Sequence, residues 1–172
     1  MNEIQLYHVS LNKYENGTLL RMTANDETHY YGKKKEKGEN WVDDILNICK
    51  PTEAPMRQQT FYAFDSIENC VAFSKTNNFQ NAYYYKVQMQ NPFKAPMCLT
   101  DLLLKSYSNK IKQVSIASEY WKPKIYWKFN EYLSVEMIII ESIAEPDFFA
   151  LLKGKENYNN DFDLIRTSFN HI

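Results

Sequence analysis

Short strands and short helices follow one another along this chain without the regular strand–helix alternation of a parallel sheet, and that irregular order predicts an α+β fold. Two further observations agree. At 172 residues, 44% hydrophobic and 24% charged, the chain has the length and composition of one folded domain. Aromatic residues make up 15%, with 13 Tyr and 10 Phe, a surplus that suits pleated strands and stacking pockets alike.

Residues 3–10 read as the first strand, with Ile4, Leu6 and His8 on one side and Tyr7 and Val9 on the other. Residues 18–22 form a second short extended piece. Residues 23–38 are polar and contain KKKEK at 33–37, expected as a solvated loop or, alternatively, as a contact for a phosphate-bearing partner. A helix follows at 39–49, with Trp41, Val42, Ile45, Leu46 and Cys49 at helical spacing. After KPTEAP, residues 61–64 are a strand, and Asp65 with Glu68 forms a capping box for the next helix. A Tyr- and Val-rich strand at 82–90 ends at Asn91-Pro92. Helices are expected at 99–107 and 114–121, the latter closed by Lys122-Pro123. Residues 125–133 are ambiguous, and 134–143 are the clearest strand. A helix at 147–152 precedes the loose-looking GKENYNND, with Phe162, Leu164, Ile165 and Phe169 able to dock back. The whole reads as a single domain over 1–172, with a helical insertion around 23–58 and a loosely docked tail at 146–172.

Composition excludes several function classes. A formal charge of -1 sets up no overall field for nucleic acid or anionic membrane. The 3 Cys, at 49, 70 and 98, form no CxxC pair, so neither a zinc site nor a disulfide framework is indicated. Reduced thiols in a cytoplasmic protein are expected, and MNEIQLYH shows no secretory signal. Apolar runs such as 137–140 are far too short to span a bilayer. With 4 Gly, neither GxGxxG nor GxxxxGK[ST] is present.

Three stretches carry chemistry. In QLYHVS, His8 lies inside a strand and Ser10 adds a second polar group on the same face. In FYAFDSIENCVAFS, Tyr62 and Phe73 stand on adjoining elements, where two rings either pack in a core or sandwich a planar group. In KFNEYLSVEMIII, Glu131 precedes an apolar strand, which fixes a carboxylate's position. Plain surface charge is the simpler reading of Glu131, and a satisfied strand histidine that of His8.

In this order the three stretches resemble ADP-ribosyltransferases of the diphtheria-toxin and poly-ADP-ribose polymerase type. That group carries a His in its first strand, a Tyr on a strand leading into a helix, and a Glu at the start of a late strand. The chain also resembles small uncharacterised bacterial domains that share YHVS, an Arg before the second strand and a late E-Y-L. The resemblance implies a split β-sandwich with short flanking helices and a cleft between two sheets. It implies NAD as donor substrate, no metal, and transfer of ADP-ribose to an acceptor of unknown class, as in a bacterial toxin or phage-defence effector. His8 and Ser10 would hold the adenosine-side ribose, Tyr62 and Phe73 would sandwich the nicotinamide, and Glu131 would stabilise the cation formed on the ribose. Arg57 would meet a phosphate or make a structural salt bridge; Tyr120 and Trp121 would line the acceptor side or pack. Three departures stand out. Val9 replaces the usual Gly after the His, Phe73 replaces a frequent Tyr, and Phe129 stands where arginine-modifying toxins carry an acidic residue. Two other readings remain open, a catalytically inactive NAD- or nucleotide-binding module and an RNA 2′-phosphotransferase-like enzyme.

Overall fold

A computed structural model describes residues 4–168. Glu3 and Phe169, assigned above to a strand and a docking tail, lie outside the described residues.

The strands are β1 (Leu6–Ser10), β2 (Leu19–Arg21), β3 (Phe61–Phe64), β4 (Tyr83–Met89), β5 (Phe93–Pro96), β6 (Asn130–Ser134) and β7 (Glu136–Ile143). The helices are α1 (His29–Lys37), α2 (Trp41–Cys49), α3 (Ile67–Thr76), α4 (Cys98–Lys105), α5 (Lys110–Trp121) and α6 (Phe148–Ser168), with one 3-10 turn at Arg57–Gln59. The fold is mixed α+β. Its strands form one antiparallel seven-stranded sheet in the order β2-β7-β4-β1-β3-β6-β5. Two separate sheets, as the resemblance implies, are therefore not what the hydrogen bonds draw. The joint between β1 and β3 is nonetheless slight. It registers Tyr7 opposite Phe64, whereas β1 follows β4 from Leu6 opposite Val87 to Ser10 opposite Tyr83.

The two faces of the sheet carry separate cores. On one, α3 lays Cys70, Val71 and Phe73 against Val9, Phe64 and Tyr84. On the other, Leu6, Ala63, Tyr85, Val87, Met137 and Ile139 close together. A third cluster joins α2, α4 and α5 through Leu46, Leu99, Ile116 and Trp121. Strand β7 shows the period of two expected of a half-buried strand, with Met137 and Ile139 at 0% exposure and Ile138 and Ile140 outward.

Several local expectations change. KKKEK lies within α1 rather than in a loop. Thr28 caps that helix by accepting from the Tyr31 N–H, and Gly38 closes it in the left-handed region at φ 67°. Ser66, not Asp65, caps α3, accepting from Asn69 N at 3.1 Å, while Asp65 takes the Asn69 side chain. The chain turns at Asn91-Pro92 and returns as β5, an edge strand beside β6. The strand expected at 134–143 forms as β7 from Glu136, and the ambiguous stretch before it supplies β6, the two broken at Val135.

The C-terminal region differs most. GKENYNND is part of one continuous helix, α6. A Cβ on Gly154 would stand 2.0 Å from the Glu68 carbonyl oxygen, so this glycine permits a close approach of α6 to α3. Two turns further along the same face, Asp161 is fully buried and accepts from Lys128 N at 2.9 Å and Phe129 N at 2.8 Å. Those bonds fix the segment that opens β6, and with it Glu131.

Candidate functional site

His8 comes from β1, Tyr62 from β3 and Glu131 from β6. In the β3–β6 ladder Phe64 faces Glu131 and Tyr62 faces Leu133, so all four side chains share one face. His8 Nδ1–H donates to the Tyr62 carbonyl at 2.7 Å, and the two rings lie 5.6 Å apart. A carbonyl only accepts, so this bond fixes the tautomer and leaves Nε2 as an acceptor. Burial lowers the pKa of His8 to about 4, against the upward pull of that bond, so the ring is neutral near pH 7. His8, Ser10, Tyr14, Tyr30 and Tyr62 line a cavity of about 470 Å³. Ser10 Oγ accepts from Asn12 N at 3.0 Å and still has its own proton to donate. Val9 is 1% exposed and packs largely into the α3 core, although it also borders this cavity.

Tyr62 and Phe73 do meet, but as a packed pair. Their centroids are 5.0 Å apart at 60°. A sandwiched planar group needs the rings about 7 Å apart, twice the ~3.5 Å carbon contact distance. The space beside the pair is taken by Tyr30, whose ring stands edge-on to Tyr62 at 6.0 Å and to Phe73 at 5.4 Å. Burial raises the Tyr30 phenol pKa, with Asp101 adding to it, so the group stays neutral.

Behind Tyr30 lies a buried charge network. Glu131 is 3% exposed, and its Oε1 accepts from Arg57 Nη1 at 2.7 Å and from the Tyr120 hydroxyl at 2.6 Å. Arg57 Nε donates to Asp43 Oδ1 at 2.5 Å, and Lys34 Nζ to Asp43 Oδ2 at 2.9 Å. Arg57 Nη1 also meets the Tyr120 hydroxyl. Two cations thus face two carboxylates away from water. Burial pushes the Asp43 carboxyl up, but Arg57 and Lys34 outweigh it and hold the pKa below the ordinary value. Burial lowers that of Lys34. Only about 10 Å³ of free space remains among Tyr30, Asp43, Arg57, Tyr62, Phe73 and Glu131.

Of the expected site residues, His8, Ser10, Tyr62, Phe73 and Glu131 surround two adjoining cavities, with Tyr62 lining both. Arg57 makes the salt bridge rather than meeting an open phosphate site. Tyr120 holds Glu131 at 0% exposure, and Trp121 donates to the Leu46 carbonyl in the core at 2.8 Å, so neither faces an acceptor. A cavity of about 290 Å³ on the other side of Tyr30 and Phe73 is lined by Asp101, Lys155 and Tyr158. There Tyr158 donates to Asp101, whose carboxyl pKa burial raises.

Tyr30, Lys34 and Asp43 were not foreseen. The available signal was Asp43 itself, a carboxylate set between Val42 and Leu46 on the inward side of an apolar helix, where a buried charge needs a partner. Among the described residues no group of three or more His, Cys, Asp or Glu could hold a metal ion, and no helix is long and apolar enough to cross a membrane. No protein-family model matches the chain, and no curated protein matches it.

Proposed function

We propose that this protein is an NAD-dependent ADP-ribosyltransferase on a split-sheet fold, cleaving the nicotinamide–ribose bond and passing ADP-ribose to an acceptor. The observation that carries the reading is the convergence of His8, Tyr62 and Glu131, from three strands, on two adjoining cavities. His8 Nε2 would accept a ribose hydroxyl, with Ser10 beside it. Tyr62 and Phe73 would supply an aromatic wall for the nicotinamide ring once Tyr30 has moved. As the C–N bond breaks, nicotinamide leaves with the bonding electrons and positive charge develops on the ribose. The Glu131 carboxylate stabilises that charge, and Arg57 and Tyr120 hold it in position. The acceptor's nucleophilic atom then bonds to the same ribose carbon and gives up its proton. A cytoplasmic effector, such as a toxin or phage-defence enzyme, fits three unpaired cysteines, two of them buried.

A second reading has its own support. Glu131 is already neutralised by Arg57 and fixed by Tyr120, as in a module that binds NAD or a nucleotide without cleaving it. One assay separates the two. The protein is incubated with NAD labelled in its nicotinamide ring, and free nicotinamide is measured beside calorimetric NAD binding. Release by wild type, and its fall by a hundredfold or more in Glu131→Gln, about 2.7 kcal/mol of transition-state stabilisation, is expected of the transferase. Binding without release, whatever acceptor is supplied, replaces it with the binding module.

A further inference from the structure

We infer that α1 is a displaceable lid that keeps the candidate site both filled and electrically neutral, and that ligand enters only when the helix leaves. The inference rests on the transferase reading for the identity of the ligand alone.

Two side chains of α1, one turn apart, do separate jobs. The Tyr30 ring abuts both members of the aromatic pair and lines all three cavities, of about 470, 10 and 290 Å³, so it is the partition between them. The Lys34 ammonium stands 4.8 Å over that ring and 2.9 Å from Asp43. With α1 seated, Lys34 and Arg57 balance Asp43 and Glu131. With α1 away, Arg57 alone faces two carboxylates, and the site carries one net negative charge. That is the electrostatic state a developing ribosyl cation requires. Filling the ring space and cancelling the charge are thus reversed by one movement.

The helix is built to come away. HYYGKKKEK has no apolar stripe; its buried members are Tyr31 and Lys34, and both reach to α2, at Asp44 and Asp43. A Cβ added at Gly32 would meet nothing within 4 Å, so no backbone is pressed against this part of α1. Its caps form within the segment, from the Thr28 side chain and left-handed Gly38, so it can move as a formed helix that hinges where Thr28 N holds the Gln58 carbonyl at 2.9 Å. An element held by so few side chains opens below the free energy of global unfolding.

The test combines amide hydrogen exchange with NAD titration of wild type, Tyr30→Phe and Tyr30→Ala. In wild type the α1 amides should exchange through an opening separate from that of β1, β3 and β6. Tyr30→Ala should speed that exchange about tenfold or more and tighten NAD binding by a similar factor, because two edge-on ring contacts no longer oppose the ligand. Tyr30→Phe, which keeps the ring, should match wild type in both. Two results overturn the lid. One is α1 amides that exchange only together with the sheet. The other is equal NAD affinity for wild type and Tyr30→Ala. If no variant binds NAD, the transferase reading falls, and α1 exchange alone then decides the lid.

Discussion

Helix α1 lines the candidate site and helix α6 the third cavity beside it, and they are attached to the protein in opposite ways. Helix α6 is seated by backbone, with Gly154 against the Glu68 carbonyl and Asp161 holding the N–H groups of Lys128 and Phe129. Helix α1 is tied by one backbone bond at its cap, Thr28 N to the Gln58 carbonyl at 2.9 Å, and is otherwise seated by side chains, namely Tyr30, Tyr31, Lys33 and Lys34. Backbone seating cannot be undone without moving α3 and the start of β6. Side-chain seating can be released by rotating a few bonds. The protein thus has one wall that fixes Glu131 and one that covers it.

The largest expected effect is at Gly154. Gly154→Ala places a methyl group 2.0 Å from the Glu68 oxygen and 2.7 Å from Ala72 Cβ, so α6 must lift off α3. A loss of roughly 3 kcal/mol is expected, at the upper end of overpacking. It should appear as a drop of roughly 6–12 °C in Tm. A melt unchanged by this substitution would mean that α6 is no more rigidly seated than α1.

Next comes a pH dependence belonging to the sheet beneath both helices. Burial holds the pKa of folded His8 at about 4, below its ordinary value of 6.5. Between those values the unfolded chain takes up a proton that the native state refuses, so stability should fall as pH falls from 6.5 to 4. The full effect is about 3 kcal/mol, present above 6.5 and gone below 4. Denaturant melts of wild type and His8→Asn across the window should differ by this slope. Parallel curves would assign no titration to His8.

Asp161→Asn should cost about 2 kcal/mol, because an amide oxygen at the Oδ2 position still accepts from both N–H groups while the NH2 group in place of Oδ1 confronts the Lys128 N–H, donor against donor. Since Asp161 holds the opening of β6, the loss should extend to the global melt. In Tyr31→Phe, on α1, removal of the 3.3 Å bond to Asp44 should leave the Tm within about 1 °C. One effect has the opposite sign. Gly32→Ala meets open space within a helix, so it should stabilise the protein by up to about 1 kcal/mol, read from the same melts. Opposite signs for one substitution in two helices would be the cleanest demonstration of the contrast.

The strand residues of the site were legible because strand signals are local. YHVS and FYAF are short runs rich in aromatic residues, with Val9 in the first, and β1 and β3 form there, whereas β6 forms in a stretch whose sequence is ambiguous. The helix α2 was legible from its apolar spacing. What stayed hidden depends on long-range partners. HYYGKKKEK has no amphipathic period, so nothing in it announces that Tyr30 meets Phe73 or that Lys34 meets Asp43. GKENYNND looked loose because its two decisive residues, Gly154 and Asp161, are types common in loops. Their meaning appears only against Glu68 and Lys128. Tyr120 and Trp121 were given one shared role, yet successive helical positions face different ways. Tyr120 meets Glu131, and Trp121 meets Leu46.

The sheet's two outer strands bear on how the molecule behaves in crowded solution. β2 is three residues long and carries Arg21, ion-paired to Glu136; β5 is four residues long and carries Lys94 and Pro96. An intruding strand would find few free rungs on either side, one of them lacking an N–H, beside charges that resist drying. Stacking of copies into a fibril is therefore blocked at both ends of the ladder. The aromatic interior, which would aggregate readily if exposed, is guarded by seven residues at the margins.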